Sequence, residues 1–312
     1  MTTTHDSRSP RSARDLDLSV DISDGPADRI SPLGQALRDA TGGRYAHVRE
    51  LARQTIPSEL MQRDAGMTMP EAREWTRATL VTLTARGFTT SGYPEQYGGL
   101  DDLGRSAIDF ELCAHGDLSV TIKSGVQFGL FGGAVNSLGT EWHHDTYLRD
   151  IITMDLPGCY AMTEIGHGSD VSSLETTLTY DRESDEIVVH SPTASSMKAY
   201  IGGAAVDARM AVVYGQLIVG GESHGVHATM VPIRDDAGES LPGVALGDHG
   251  AKGGLAGVDN GTLMFDQVRV PRRMLLDRYG GVNADGDYVS DIENPNRRFF
   301  TMLGTLVRGR VC

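Results

Sequence analysis

The sequence predicts an α+β protein of more than one domain, with an α-helical N-terminal domain followed by a β-barrel or sandwich of antiparallel strands. Apolar residues recur at intervals of three and four through residues 31–156, which is typical of amphipathic helices. Short segments rich in Val, Ile and Thr, separated by turn residues, fill residues 157–280. A helical pattern returns in residues 281–312, which we interpret as a linker and the start of a further helical domain. At 312 residues the chain is long enough for two hydrophobic cores.

The helical section contains its own start signals. From Leu103 to Cys113 the apolar residues trace one stripe, and Asp101 and Asp102 are placed to cap the first turn of this helix. A second helix is predicted from Glu141 to Met154. Between them, residues 124–139 include many small residues, which would let a helix or a ligand approach the backbone closely.

The section after Pro157 consists of short segments that favour extended structure. The connections carry Asp-Arg-Glu-Ser-Asp at 181–185, Gly-Gly at 220–221 and Asn-Gly at 260–261, which are suitable turns between antiparallel strands. The predicted strands are Cys159–Thr163, Leu174–Tyr180, Glu186–His190, Met210–Ile218, Val226–Ile233 and Thr262–Val270.

The residues from Asn294 onward predict another helix, with one apolar face formed by Phe299, Met302, Leu303 and Leu306. No later segment of this chain is available to cover that face, and a helix this short is marginal alone. We therefore expect the chain to be interrupted within this helical region.

Composition limits the classes of partner. Lys and Arg total 28 against 42 Asp and Glu, so the formal net charge is −14 and nonspecific binding to nucleic acid is not expected. Residues 1–30 are polar and rich in Ser, Asp and Arg, which predicts a disordered arm and not a signal peptide. No segment approaches the roughly 18 apolar residues that a membrane span requires, so the sequence predicts a soluble, cytoplasmic protein.

The histidines and cysteines do not predict a metal site or a disulfide. His143 and His144 are adjacent on a predicted helix, while His224 and His227 differ by three, which on a regular strand places them on opposite faces. The three cysteines are widely separated and are expected to be reduced thiols. Ser169 stands in Gly-His-Gly-Ser-Asp and not in G-x-S-x-G, so a serine hydrolase is not predicted either.

The segment GCYAMTEIGHGSD, residues 158–170, carries the strongest indication of a site. A strand that ends in a hydroxyl residue, followed by an acid and a loop of small residues, presents the Thr163 hydroxyl and several backbone N–H groups at the strand end. Such a loop could hold a flavin pyrimidine ring or a phosphate. On this segment alone, a plain transition from strand to turn is the other interpretation.

The whole run resembles the flavin-binding signature of the acyl-CoA dehydrogenase and oxidase superfamily. Upstream, GYPEQYGG, GDLSV and FGGAVNSLGTE look like the oxidase branch of that family. Residues 85–312 are covered, by several motifs in the same order. These motifs stand at 92–99, 116–120, 131–141, 158–170, 174–193, 198, 202–203, 221–235, 241–280 and 294–300.

The resemblance implies an α-helical first domain, a β-barrel middle domain and a C-terminal four-helix domain that is truncated in this chain, with FAD held between the barrel and the final bundle. By the family pattern Thr163 would hydrogen-bond the flavin ring, Gly202 would line the flavin site through its backbone, and Ser169 would contact phosphate or substrate. The family's catalytic base is a glutamate of the final domain, expected beyond Cys312, so no catalytic residue is predicted here. Glu164 is expected to be a structural acid that accepts backbone hydrogen bonds.

Several positions are left open by the sequence. Lys198 is either a cation for a phosphate or an exposed lysine near a strand end. The family's oxidases commonly have aromatic residues directly after the lysine equivalent to Lys198, where this chain departs with Ala199-Tyr200-Ile201. Tyr200 is either the ring that stacks on the flavin or a half-buried strand tyrosine. The glycine-rich run 247–261 lacks both nucleotide-loop patterns and is expected to be a flexible or bulged connection. The candidates for binding the anionic CoA are Arg209, Arg234, Arg297 and Arg298.

The function implied is FAD-dependent oxidation of a fatty acyl-CoA to the trans-2-enoyl-CoA in fatty-acid β-oxidation, with oxygen as electron acceptor. A dehydrogenase that passes electrons to a carrier protein is the alternative within this chemistry. An inactive fragment, or a subunit that needs a partner chain for the catalytic base, is the alternative outside it. A homo-oligomer is expected for the full-length protein.

Overall fold

The computed structural model describes residues 31–304 and residue 307, so the disordered arm predicted for residues 1–30 lies outside the described residues. The first half of the described chain is helical. Two π-helical stretches, Gly125–Phe131 and His144–Leu148, join the α-helices on either side into longer runs. The α-helices of this half are α1 (Pro32–Gly42), α2 (Ala46–Thr55), α3 (Met69–Ala85), α4 (Leu103–Cys113), α5 (Leu118–Ser124), α6 (Gly132–Leu138), α7 (Glu141–His143) and α8 (Arg149–Ile152).

The helix starts follow from local capping. The Asp102 side chain accepts a hydrogen bond from the Arg105 N–H at 2.9 Å, which confirms the predicted cap and both predicted bounds of α4. Asp117 caps α5 in the same way through the Ser119 N–H. The second predicted helix is confirmed as the continuous run from α7 to α8, Glu141–Ile152. Among the residues described, no helix is both long and apolar enough to cross a bilayer.

The second half is built from short strands. Two predicted strands are confirmed almost to the residue, β3 and β5. The single strand predicted from Thr262 to Val270 is wrong, because Gln267 adopts a φ of 52° and turns the chain between β8 and β9. The strands are β1 (Gly158–Ala161), β2 (Thr177–Asp181), β3 (Glu186–His190), β4 (Lys198–Gly202), β5 (Met210–Val219), β6 (Glu222–Pro232), β7 (Val244–Asp248), β8 (Asn260–Phe265), β9 (Val268–Pro271), β10 (Gly281–Val282) and β11 (Tyr288–Val289).

The antiparallel barrel predicted from the sequence is corrected by the pairing around β5. β1 pairs in parallel with Met210–Val213 and β2 pairs in parallel with Gln216–Ile218, while β6 pairs antiparallel along the other edge of β5. β1 and β2 therefore lie end to end along one edge and both run in the direction of β5. With β3 and β9 beyond β2, these strands form a curled, partly parallel six-stranded sheet.

A smaller sheet of three strands, in the order β4-β8-β7, completes this half. An antiparallel bridge between Glu164 and Lys198 connects it to the chain just beyond β1. A second connection joins β8 to the end of β3, where the Ser191 N–H donates to the Phe265 carbonyl oxygen at 2.7 Å. Hydrogen bonds thus join the two sheets at two points. The strands curl over the core, but they do not form a single closed ladder of hydrogen bonds.

The helical and strand-rich halves share one hydrophobic core. Phe131 is fully buried against Gly158, where a side chain would collide with the phenyl ring. The Gln127 side chain accepts from the Gly158 N–H at 2.9 Å and donates to the Ile151 and Leu156 carbonyl oxygens, both at 3.0 Å. The helical run from α5 to α6 is therefore fixed against the first residue of β1.

The final helix, α9 (Pro295–Met302), is capped by Asn294 and packs against β6. Met302 is buried in the core, and Phe299 and Leu303 are partly buried against it. These three residues therefore pack on an earlier part of the chain, and not on a later segment, which the sequence did not lead us to expect. Leu306, the fourth residue of the predicted face, lies outside the described residues.

Candidate functional site

Thr163 lies two residues beyond the end of β1 and is half-buried. Its carbonyl oxygen accepts a hydrogen bond from the Ala199 N–H of β4 at 3.1 Å. Its hydroxyl makes no hydrogen bond with any part of the chain that the structure describes. The backbone of this residue is therefore fixed by β4, while its side chain keeps a free donor and acceptor at the strand end.

The acid and the lysine next to Thr163 form a buried ion pair. Lys198 Nζ donates to Glu164 Oε1 at 2.9 Å and to the carbonyl oxygens of Met162 at 3.0 Å and Tyr214 at 2.7 Å. Both side chains are fully buried. Because Lys198 is bonded to the residues immediately before and after Thr163, the ion pair holds the backbone of Thr163 from both sides. Both interpretations of Lys198 from the sequence, a phosphate ligand and an exposed lysine, are wrong.

Glu164 has the structural role expected of it. Its carboxylate accepts from the backbone N–H groups of Glu175 at 2.8 Å and Thr176 at 3.0 Å, and also from the Thr176 hydroxyl. Burial alone would raise the pKa of Glu164, but Lys198 and these donors outweigh burial and lower it. Burial lowers the pKa of Lys198 to about 8, although Glu164 opposes that shift, so the ammonium is retained at neutral pH.

Ser169 stands in the exposed loop that follows the ion pair. The base of this loop is held by two backbone bonds, from Ile165 N–H to Met197 O at 3.0 Å and from Gly166 N–H to Ser195 O at 2.9 Å. Within the described residues, neither the Ser169 hydroxyl nor its backbone N–H has a hydrogen-bond partner. The loop therefore exposes polar groups at its tip while its base is fixed.

Gly202 is the last residue of β4 and is half-buried. A Cβ at this position would lie 2.8 Å from Val126 Cγ2, so the helical run after α5 approaches this backbone closely. Ala199, which bonds Thr163, precedes Gly202 by three residues, and the strand between them is bulged at Tyr200, which has a φ of 58°. Thr163 is therefore hydrogen-bonded to the edge strand β4, and Gly202 is the last residue of that strand. Gly203 follows with a φ of 83°, a conformation that favours glycine.

Tyr200 lies between these two positions on β4. Its side chain is 70% exposed, so the prediction of a half-buried strand tyrosine is wrong. The phenol ring stacks on His249 with ring centres 4.2 Å apart and an angle of 5° between planes, and the Tyr200 N–H donates to His249 Nε2 at 3.1 Å. His249, at the start of the glycine-rich run, is a neighbour of the site that no motif in the sequence indicates.

The four arginines proposed for CoA do not converge. Arg234 is buried and donates to the carbonyl oxygens of Ala204 and Ala208, so it stabilises the loop after β4. Arg298 is buried and donates to the carbonyl oxygens of Ile292 and His224. Arg209 forms an ion pair with Asp236, and Arg297 is exposed on α9. The structure therefore gives structural roles to Arg234 and Arg298.

The prediction that His224 and His227 lie on opposite faces of a strand is wrong. His224 stacks on Tyr288 at 3.9 Å between ring centres, and His227 Nε2 lies 3.1 Å from the hydroxyl of the same tyrosine. Gly225 adopts a φ of 82° where the β5–β6 register shifts, and this bulge breaks the alternation of side chains. Among the described residues, no group of three or more His, Cys, Asp or Glu side chains is placed to hold a metal ion.

Two family profiles match the two halves of this architecture. The profile "Acyl-CoA dehydrogenase, N-terminal domain" matches residues 45–155, and "Acyl-CoA dehydrogenase, middle domain" matches residues 159–268. The chain belongs to the acyl-CoA dehydrogenase family. Its N-terminal helical part and the curled sheet after it correspond to these two domains.

Within that family the similar proteins are acyl-CoA oxidases. The chain is 41% identical over 248 residues to "Acyl-coenzyme A oxidase 3, peroxisomal" of Arabidopsis thaliana, covering 80% of this chain and 36% of that protein. It is 42% identical over 197 residues to human "Peroxisomal acyl-coenzyme A oxidase 3", covering 62% of this chain and 28% of that protein. The chain thus spans only about a third of the length of the curated relatives it matches.

Solved structures agree with this placement. Acyl-CoA oxidase 1 of Yarrowia lipolytica superposes with a TM-score of 0.75 at 29% identity, covering 86% of this chain and 38% of that one. Acyl-CoA oxidase-2 of Caenorhabditis elegans, solved with FAD, ascaroside-CoA and ATP, gives a TM-score of 0.65 at 28% identity, covering 84% and 38%.

The cytoplasmic location predicted from the sequence is corrected by the same comparisons. The Arabidopsis and human relatives are named as peroxisomal proteins, which points to the peroxisome and not to the cytosol. The polar composition of residues 1–30 is compatible with either compartment, which is why composition failed to distinguish them.

Proposed function

We propose that the protein takes part in FAD-dependent oxidation of fatty acyl-CoA to trans-2-enoyl-CoA, as an acyl-CoA oxidase of fatty-acid β-oxidation that uses oxygen as its electron acceptor. The observation that carries this proposal is the free Thr163 hydroxyl, held at the end of β1 by the buried pair of Glu164 and Lys198. The relatives named as acyl-CoA oxidases favour oxygen over an electron carrier.

The residues on β4 and beyond β1 fit a flat ring cofactor. Thr163 offers a free hydroxyl, Tyr200 offers an exposed aromatic ring, and Gly202 offers backbone without a side chain. Tyr200 and Gly202 belong to β4, and Thr163 is hydrogen-bonded to the same strand through the Ala199 N–H, so the three groups are neighbours along one bulged strand. When bound, the flavin would accept a hydride from the substrate, while the protein orients it.

We assign roles to four residues of this site. Thr163 would donate or accept a hydrogen bond at the flavin ring, and Gly202 would line the ring through its backbone. Ser169, in the exposed loop, would contact phosphate or substrate through its hydroxyl and its free N–H. The exposed Tyr200 ring is the candidate for stacking on the flavin.

No catalytic base is assigned. Glu164 is unsuited to that role, because its two carboxylate oxygens accept hydrogen bonds from Lys198 and from backbone and side-chain donors within a buried site. A base for α-proton removal needs a carboxylate that reaches the substrate and has a raised pKa, whereas the pKa of Glu164 is lowered.

We also propose domain limits of 31–156 for the helical domain and 157–280 for the sheet domain, with 281–312 as the linker and start of a further helical domain. The last helix of the first half ends at Ile152 and β1 begins at Gly158, which supports the first limit. We propose in addition that the full-length protein is a homo-oligomer, which light scattering after gel filtration would measure.

The direct test is to titrate the purified protein with FAD and follow flavin fluorescence. A bound flavin should lose its visible absorption when a fatty acyl-CoA is added without oxygen, and hydrogen peroxide should form in air. We expect Thr163→Val to weaken FAD binding about tenfold, the value of one hydrogen bond of roughly 1 to 1.5 kcal/mol. Thr179→Val, at a half-buried threonine of β2, is the matched control and should leave FAD binding unchanged. If the protein neither binds FAD nor bleaches it with a fatty acyl-CoA, its similarity to acyl-CoA oxidases reflects common ancestry and not a shared activity.

Gly202 allows a rescue experiment. Gly202→Ala should weaken FAD binding, because the added methyl group would lie 2.8 Å from Val126 Cγ2 and push the strand away from its position. Adding Val126→Ala makes room for that methyl group and should restore most of the affinity. If the double variant binds no better than Gly202→Ala alone, the close approach of the helical run is not what sets this part of the site.

A further inference from the structure

A buried lysine connects the helical half to the loop that follows Gly202. Lys123 of α5 is only 6% exposed, and its Nζ lies 3.1 Å from Asp259 Oδ1 and forms a second ion pair with Asp207. Asp259 is fully buried, and the Asp207 side chain is mostly buried. The two carboxylates come from the strand-rich half, so this cluster is an electrostatic contact between the two halves.

Asp259 also holds the backbone directly after Gly202. Its second carboxylate oxygen accepts from the Val206 N–H at 2.8 Å, and its own carbonyl oxygen accepts from the Gly203 N–H at 2.9 Å. One residue therefore fixes both ends of the segment 203–206. Gly203 has a φ of 83°, so this segment turns sharply. Arg234 holds the Ala204 and Ala205 carbonyl oxygens of the segment, whereas Asp259 holds the N–H groups at its two ends.

The same helical run touches Gly202 itself. Val126 follows Lys123 by three residues, a spacing that places both side chains on one side of a helix. Val126 approaches Gly202 while Lys123 orients Asp259, so the helical half contacts the end of β4 and the loop after it at two neighbouring points.

We propose that Asp259, oriented by Lys123, is a positioning residue that fixes the backbone of Gly202–Val206 for cofactor binding. The expected effect of Asp259 on FAD binding rests on the proposed function of this site. Asp207 pairs with the same lysine, but its side chain does not bond the 203–206 segment, so it serves as a matched control of equal charge.

The experiment compares Asp259→Asn with Asp207→Asn in the full chain. Each variant removes one negative charge beside Lys123. Asparagine keeps one acceptor oxygen, and because the Lys123 ammonium attracts that oxygen, Asp259→Asn turns the amide N–H2 toward the Val206 N–H, which loses its acceptor. Hydrogen–deuterium exchange of the peptide containing residues 203–206 should become about tenfold faster in Asp259→Asn and stay near wild type in Asp207→Asn. Asp259→Asn should also weaken FAD binding about tenfold and change the shape of the visible band of bound flavin, and Asp207→Asn should do neither.

The two readouts separate the possible failures. Wild-type protein that binds no FAD would contradict the proposed function, and the exchange measurement would still decide whether Asp259 fixes this backbone. Equal exchange in both variants at residues 203–206, or a uniform increase across the whole sheet in Asp259→Asn, would overturn the positioning role. Faster exchange at 203–206 with unchanged FAD affinity would overturn its link to the cofactor.

Discussion

The buried pair of Lys198 and Glu164 gives the most direct test of how this site is held. Replacing Lys198 by Met keeps most of the side-chain volume and removes the ammonium. Glu164 then remains as a buried carboxylate without its cation, and the carbonyl oxygens of Met162 and Tyr214 lose their donor. Breaking a buried ion pair by removing one partner costs about 3 to 5 kcal/mol of unfolding free energy. We expect Lys198→Met to lie in that range.

The matched experiment is a double-mutant cycle with Glu164→Gln. The neutral glutamine removes the charge that Lys198→Met leaves behind, so the double variant should be destabilised by about 2 kcal/mol less than the sum of the two single variants. Urea unfolding at pH 7, followed by far-ultraviolet circular dichroism, measures all four free energies.

Two results would refute this reasoning. A loss of less than about 1 kcal/mol in Lys198→Met would mean that the lysine is not a required partner of the buried carboxylate. A double variant that costs the full sum of the single changes would mean that the two side chains act independently.

Three further changes test other parts of the structure. Burial lowers the pKa of His227 to about 4, so the unfolded chain takes up a proton that the folded one excludes, and the stability that His227 contributes should fall as pH drops from about 6.5 toward 4, by roughly 3 kcal/mol in all. Burial lowers the pKa of His143 to about 4 as well, so His227→Gln should reduce but not abolish the fall in urea midpoint between pH 7 and 5. Gly257→Ala would drive a methyl group into the Thr76 hydroxyl and should cost about 1 to 3 kcal/mol by thermal unfolding, whereas Gly254→Ala, in open space, should be nearly neutral. Asp102→Ala removes the cap of α4 and should cost about 1 kcal/mol in urea unfolding; no change would mean that the cap is not stabilising.

The sequence is informative where structure is decided locally. α4 has both predicted bounds because its apolar stripe and the capping side chain of Asp102 lie within one short segment. The bounds of β3 are predicted equally well, because its five residues, rich in Val and Ile, stand between turn signals. By contrast β4 contains lysine, tyrosine and glycine in five residues, and it forms a bulged strand because β8, about sixty residues later, and Thr163 supply its hydrogen bonds.

The same difference between local and distant interactions applies to the candidate site. The proposal of Thr163, Gly202 and Ser169 as site residues comes from local sequence motifs, but the contacts that hold Thr163 and Gly202 come from distant residues. The sequence around Lys198 favours an exposed side chain, because its partner Glu164 lies thirty-four positions earlier in the chain. Lys123 gives no signal within its own helix, because its partners Asp207 and Asp259 belong to the other half of the chain.

The parallel direction in which β1 and β2 pair with β5 is set by the overall arrangement of the strands and not by turn residues. Turn residues at 181–185 and 220–221 correctly predict the antiparallel pairs β2–β3 and β5–β6, since each pair is joined by a short connection. β1 reaches β5 only after three other strands, so no turn signal sets its direction. Because β1 and β2 share one edge of β5, Thr163 emerges in the gap between them, where β4 can pair with the chain. The break in that edge is therefore what allows β4, Lys198 and Gly202 to reach the end of β1 and assemble the candidate site.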